Sequence, residues 1–250
     1  MKKILFVTLL TVISSFAYAE DRTITICSYE WAPHHGKAMN NGGYTAEIIK
    51  AIFEPQGYQI EKLFLPWKRA LIYAKEGKKC DAITEIYFNE ERLEDYWFGS
   101  PYSVHEVYTV GLKSLPLKDY DDLTELEDYV IGHNRGGSLS KAFDAADFLQ
   151  KKKVNGYKEG IEKLLYRQID LFVSAKSVAL YEGHQMGGLD KIRMIGKPLQ
   201  RQHVHMAFSK NSPQNLIRMQ HYNEGLFSLL RSGEYDRIMQ RHAFKLTEFR

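Results

Sequence analysis

The chain has 250 residues, a formal net charge of +3 and a hydrophobic share of 44%. That length allows one large domain or two small ones, and the near-balanced charge excludes a general attraction to nucleic acid or to a membrane surface. Gly-x-Ser-x-Gly, a glycine-rich phosphate loop and His-Glu-x-x-His are all absent from the sequence, so no familiar catalytic constellation is expected.

The first nineteen residues read as an export signal. Lys2 and Lys3 precede an apolar stretch from Ile4 to Phe16, and Ala17-Tyr18-Ala19 is a small-x-small cleavage site. The stretch is shorter than the roughly 20 residues that span a bilayer, so cleavage is expected and the mature chain starts at Glu20. No cysteine stands at the cleavage point for a lipid anchor. No later stretch is long and apolar enough to cross a membrane, which predicts a soluble exported protein.

Strand and helix signals then alternate. Thr23 to Cys27 is β-rich, and Thr45 is a helix cap ahead of Ile48, Ile49, Ile52 and Phe53, with Pro55-Gln56-Gly57 as the stop. Tyr58 to Leu65 reads as a strand. Pro66 opens a helix with Trp67, Ala70, Leu71 and Ala74 on one side, ended by Gly77, and Asp81 to Tyr87 is again a strand. This βαβαβ order predicts a parallel sheet with right-handed crossovers. Val107 to Leu112 reads as an extended connection.

The second half repeats the plan. Val130 to Gly132 is a strand, Ser138 begins a helix through Phe143, Ala146 and Leu149, and Lys151 to Lys153 is its solvated end. A helix through Ile161, Leu164 and Leu165 leads to a strand at Ile169 to Val173. The runs Ala70 to Ile83 and Glu162 to Phe172 share one pattern of helix, polar turn, Asp and apolar strand. Val204 to Phe208 is a second extended connection, followed by helices at Ser212 to Ser232 and Glu234 to His242. The expected fold class is α/β, with two mostly parallel sheets flanked by helices and joined by a double-strand hinge. Lobe 1 comprises residues 20–110 and 204–250, lobe 2 residues 111–203, and ligands bind beyond the carboxyl ends of such strands.

Cys27 and Cys80 meet an oxidising compartment, which favours a bond. Their expected places, at the end of one strand and the start of a parallel neighbour, set the sulfurs apart. An unbridged pair is therefore predicted, and no metal site, because no His or Cys pair has ligand spacing. His34 and His35 read as a solvated loop pair, and His203 and His205 as strand-surface residues.

Arg92 follows the strand residue Thr84 by eight positions. Over a cleft it would grip a carboxylate with its planar fork, and Thr84 would add a hydroxyl. A surface pairing of Arg92 with Glu90 or Glu94 is the plain alternative. Trp67 is open between a cleft role and a core role.

The sequence resembles the family-3 extracellular solute-binding proteins, the polar amino-acid receptors of ABC importers, over essentially the whole mature chain. The resemblance rests on Trp31-Ala-Pro33, Gly43-Tyr44, Gly77-Lys-Lys-Cys-Asp81-Ala82, Glu91-Arg92 with Ser100-Pro101-Tyr102, Gly132 to Ser138, and Asp170. It implies the two-lobed type II periplasmic-binding fold, a periplasmic location, no cofactor, and a small polar ligand closed between the lobes of a monomer. It further implies delivery to a membrane permease, or to a membrane sensor that uses the same closed form. A third option is an enzyme similar to the cyclohexadienyl dehydratases, for which Glu85 or Glu182 would be the cleft acid.

Residue by residue, the resemblance makes Trp31 the stacking aromatic, with Thr84 and Tyr87 as contacts from the third strand. Arg92 becomes the carboxylate clamp, and Asn134, Gly136 and Ser138 form the second-lobe loop at a helix start. The family's ammonium-binding acid is replaced by Ala175, beside Ser174. Glu85 could supply a substitute charge from the opposite lobe, so the ligand class stays open.

Overall fold

A computed structural model describes residues 22–137 and 140–242. The expected export signal, residues 1–19, and Ser138 lie outside the described residues. The first half runs β1 (Thr23–Ser28), α1 (Tyr44–Phe53), β2 (Gln59–Phe64), α2 (Trp67–Glu76) and β3 (Ala82–Tyr87). A short β4 (Tyr96–Phe98) and the long β5 (Ser103–Leu112) lead into the second half. There follow β6 (Val130–Asn134), α3 (Lys141–Ala145), β7 (Gln150–Val154), α4 (Tyr157–Leu165), β8 (Leu171–Ala175) and α5 (Lys176–Gln185). The chain returns through β9 (Ile192–Ser209) to α6 (Gln214–Arg231) and α7 (Glu234–Arg241).

The strands form one path, β2-β1-β3-β9-β5-β8-β6-β7, with β4 beside β9. β1 is parallel to β2 and β3, and β6 is parallel to β7 and β8. The two expected parallel sheets are thus present as clusters, joined edge to edge by the antiparallel strands β5 and β9. The β5–β9 ladder slips once. Val107 faces Gln200 and Thr109 faces Ile195, so residues 196–199 stand out of register, and Gly196 takes a left-handed φ of 65° there.

The recurring Asp has one physical job in both halves. Asp81 N donates to Thr25 O at 2.8 Å, and an Asp81 carboxylate oxygen accepts from Thr25 N at 2.9 Å. Asp170 accepts from Val130 N at 2.9 Å in the same way, and its own N–H donates to Val130 O. Each Asp ties the start of its strand to the parallel neighbour. Asp81 is further held by Arg218 of α6, 2.7 Å away, whose guanidinium also reaches Thr23 O and Asn215.

Several expectations change. Cys27 and Cys80 are bridged, with Cα atoms 5.5 Å apart. Cys80 lies in the turn before β3, not in the strand, and that turn folds over the face where Ala70 and Ala74 of α2 cover Cys27. Lys151 to Lys153 belong to β7, an edge strand pinned at its ends by buried Leu149 and Val154. Lysines on a sheet edge oppose pairing with another chain. The expected helix there shrinks to α3, capped by Ser140, whose hydroxyl accepts from Phe143 N. Gly43, not Thr45, precedes α1. It sits at φ 89°, and a Cβ there would meet His34 O at 2.2 Å, so only glycine fits. No described helix is long and apolar enough to cross a membrane.

Candidate functional site

Where the first half meets the second, the loop after β1 supplies one part of the wall. Trp31 and His35 bridge each other, with Trp31 N donating to His35 O at 2.8 Å, and Trp31 O accepts from His34 N at 2.9 Å. This tight turn sends neighbouring side chains opposite ways. Trp31 and His34 face the seam, and His35 enters the core. The expected solvated pair is in fact buried, because Gly43 lets the backbone close over it.

His34 stacks on His105 of β5 with ring centroids 4.2 Å apart. His105 sits between the hydroxyls of Tyr44, 3.0 Å from Nε2, and Tyr87, 3.3 Å from Nδ1. Burial pushes both imidazoles toward the neutral form, His105 down to about 3, and the neighbouring His105 ring further disfavours a charge on His34. Burial likewise raises the Tyr87 hydroxyl, so these partners stay protonated.

Three contacts cross the seam. Trp67 Nε1 donates to Gly136 O at 3.0 Å, His34 Nε2 meets Ser177 Oγ at 2.8 Å, and Trp31 stacks on Tyr157 at 6.0 Å. Gly136 holds a left-handed φ of 77°, which turns its carbonyl to the indole. A cavity of about 970 Å³ remains at the seam. Of the residues singled out from sequence, Trp31, Trp67, Asn134 and Glu182 line it. Tyr29, Tyr157 and Tyr181 add further rings, and Glu30, Glu182, Lys37 and Lys158 add charge.

The remaining candidates sit elsewhere. Thr84 is buried with its hydroxyl 3.2 Å from that of Tyr102, and Ser174 is buried with its hydroxyl donating to Ala175 O. Tyr87 serves the His105 network. Glu85 is turned away from the cavity. A register shift in β3 places it at φ 58°, and its carboxylate accepts from Thr45 Oγ1 at 2.8 Å and lies 3.6 Å from His35 Nδ1. Burial raises its carboxyl, with His35 and Thr45 opposing. The substitute charge expected of Glu85 therefore points into the core beneath α1.

Arg92 is not on a solvated surface pair. Its guanidinium donates to Tyr87 O at 2.6 Å and lies 5.8 Å from the Trp67 ring centre, forming no ion pair among the described residues. Burial lowers its pKa. Trp67 thus touches both the cavity and Arg92. Among the described residues no group of three or more His, Cys, Asp or Glu could hold a metal ion.

Tyr29 and Tyr157 were not singled out from sequence. Tyr157 follows Asn155-Gly156, a helix-start signal, so its place at a strand-to-helix turn was readable. The role of His105, in mid-strand, was not.

Comparisons with known proteins bear on the whole chain. Residues 24–245 match the profile of the bacterial extracellular solute-binding proteins, family 3. No curated protein matches. Among solved structures, a histidine kinase sensor domain with similarity to periplasmic binding proteins superposes with a TM-score of 0.80 at 18% identity, covering 89% of this chain and 96% of the other. An ancestral arginine-binding protein bound to arginine gives 0.77 at 20% identity, covering 89% and 98%. A substrate-binding protein of an ABC uptake transporter from Streptococcus pneumoniae, with bound histidine, gives 0.77 at 20% identity, covering 89% and 92%. At these identities the likeness shows the fold.

Proposed function

The chain belongs to the bacterial extracellular solute-binding proteins, family 3, and from that premise we propose that it captures a small polar solute between two lobes in the periplasm and delivers it to the permease of an ABC importer. The lobes are residues 20–110 with 204–250, and residues 111–203. The observation that carries this reading is the 970 Å³ cavity at the seam, walled from both halves and bounded by contacts that cross from one to the other. A solute that touches both walls favours the closed form by its differential affinity. Amino acids and related carboxylates or amines fit the mixed aromatic and charged lining, and two structural relatives hold arginine and histidine.

Arg92 is the proposed carboxylate clamp. It is partly buried, carries five donors of which one is engaged by Tyr87 O, and borders the seam through Trp67. A thermal-shift screen against amino acids, di-acids, polyamines and short peptides tests the reading, since a ligand of the folded state raises its melting temperature. At least one class raises it. A flat response across all classes overturns capture, and turnover of prephenate or arogenate overturns the non-enzymatic reading. For carboxylate ligands, Arg92→Ala costs about 2–5 kcal/mol of affinity by calorimetry and leaves the circular dichroism unchanged.

The likeness to a sensor domain favours one second reading, in which the closed form signals to a membrane kinase. Capture physics is shared, and co-purification of the ligand-loaded protein with a permease or with a kinase separates the two.

A further inference from the structure

We propose that Glu182 makes this site selective for an organic cation, an ammonium or guanidinium group carried on a molecule that also bears an acceptor oxygen. The assignment rests on the capture reading above and specifies its ligand.

Four charged side chains line the cavity, and three are accounted for. The Glu30 carboxylate accepts from the backbone N of Lys37 at 3.1 Å. Lys37 lays its ammonium over the Phe64 ring, 5.3 Å from the centroid. Lys158 is exposed to solvent. Glu182, on α5, is half-buried, and no described residue gives its carboxylate a hydrogen bond or an ion pair. Burial holds its carboxyl above the usual range, and Lys158 pulls weakly the other way. An acid in that state is stabilised by an arriving positive charge.

The rest of the wall suits the same ligand. Tyr29, Trp31, Trp67 and Tyr157 present aromatic rings to the cavity, and such faces attract desolvated cations. Tyr29 and Trp67 are 4.7 Å apart and Trp31 and Tyr157 are 6.0 Å apart, so the rings form one continuous lining. Trp31 also carries the second half of the argument. Its side chain is 2% exposed, and its Nε1–H is buried with no hydrogen-bond partner. A buried donor left unmade is costly, and a ligand oxygen would satisfy it. Cation at one wall and acceptor at the other define a short polar molecule with both groups.

From the sequence, Glu182 stood only as a cleft acid of the dehydratase-like option, not as the partner of a ligand cation. Glu182 lies seven residues beyond Ala175, on the second turn of the helix that starts there. The carboxylate that position 175 lacks is thus supplied from further along the same element.

The test uses calorimetry and thermal shift on the full mature chain with four probes at one ionic strength: L-arginine, L-lysine, L-glutamine and L-glutamate. Arginine and lysine raise the melting temperature of the wild type, and Glu182→Gln weakens both by roughly tenfold to a hundredfold. The ligand-free variant melts no lower than wild type, because it loses an unpaired acid. If glutamine or glutamate binds more tightly than the two cations, or if Glu182→Gln binds the cations unchanged, capture stands and this assignment falls. If none of the four probes binds, this assignment falls, and capture is decided by the wider screen that adds di-acids, polyamines and short peptides.

Discussion

Asp81 and Asp170 begin equivalent strands in the two halves, and each secures its parallel neighbour through one carboxylate bond, at 2.9 Å in both cases. Beyond that bond the halves differ. Asp81 is gripped by Arg218, and the turn beside it is closed by the Cys27–Cys80 bridge. Asp170 has no such support among the described residues, and its half relies on the apolar cluster of Val110, Ile161, Leu164, Phe172 and Ile192. Apart from Glu30, which also lines the cavity, two acids add a further contrast. The first half hides Glu85 under α1, and the second exposes Glu182 to the cavity. A repeated local pattern has produced one cross-linked platform and one half whose polar groups stay available.

Removing the bridge tests the contrast most strongly. The two cysteines are 53 residues apart, and releasing a loop of that size costs about 4 kcal/mol in the chain-entropy account. Cys27→Ser with Cys80→Ser lowers the urea midpoint accordingly, and hydrogen exchange rises in β1 to β3 more than in β6 to β8. Equal loss of protection in both halves would break the comparison.

Asp81→Asn keeps an acceptor for Thr25 N but abandons Arg218, whose side chain is 14% exposed. The expected loss is about 2 kcal/mol. Asp170→Asn keeps its acceptor and abandons no cation, so about 0.5–1 kcal/mol is expected. Equal midpoints for the two variants would show that Arg218 contributes nothing.

The smallest effect is at Glu85. Its carboxyl is raised in the folded protein, so its contribution is fully present below the unfolded pKa of about 4.3 and is lost as pH rises through the folded value. Glu85→Gln retains the bond from Thr45 and removes the charge. It raises the midpoint at pH 7 and leaves it unchanged at pH 4.

Much of this was legible in the sequence because it is local. Apolar spacing marked α1 and α2, and the recurring Asp marked the strand starts it secures. What escaped depends on distant partners. The apolar residues of α5 do not recur on one face, and Lys151 to Lys153 read as strand only once β6 lies beside them. The bridge was missed because Cys80 was placed one element too late. At the site, Trp31, Trp67, Asn134 and Glu182 reach the cavity, but a β3 register shift redirects Glu85, which no spacing rule announces.

The slip between β5 and β9 carries a mechanical consequence. Both strands run unbroken through the junction, so the halves cannot separate by sliding apart. Residues 196–199 lack ladder partners on β5, and torsion applied to the pair concentrates where the rungs are missing. The molecule is therefore expected to swing about that gap as a torsion spring does. Stiffening Gly196 would slow both the entry and the escape of cargo, and its effect on equilibrium affinity would be smaller.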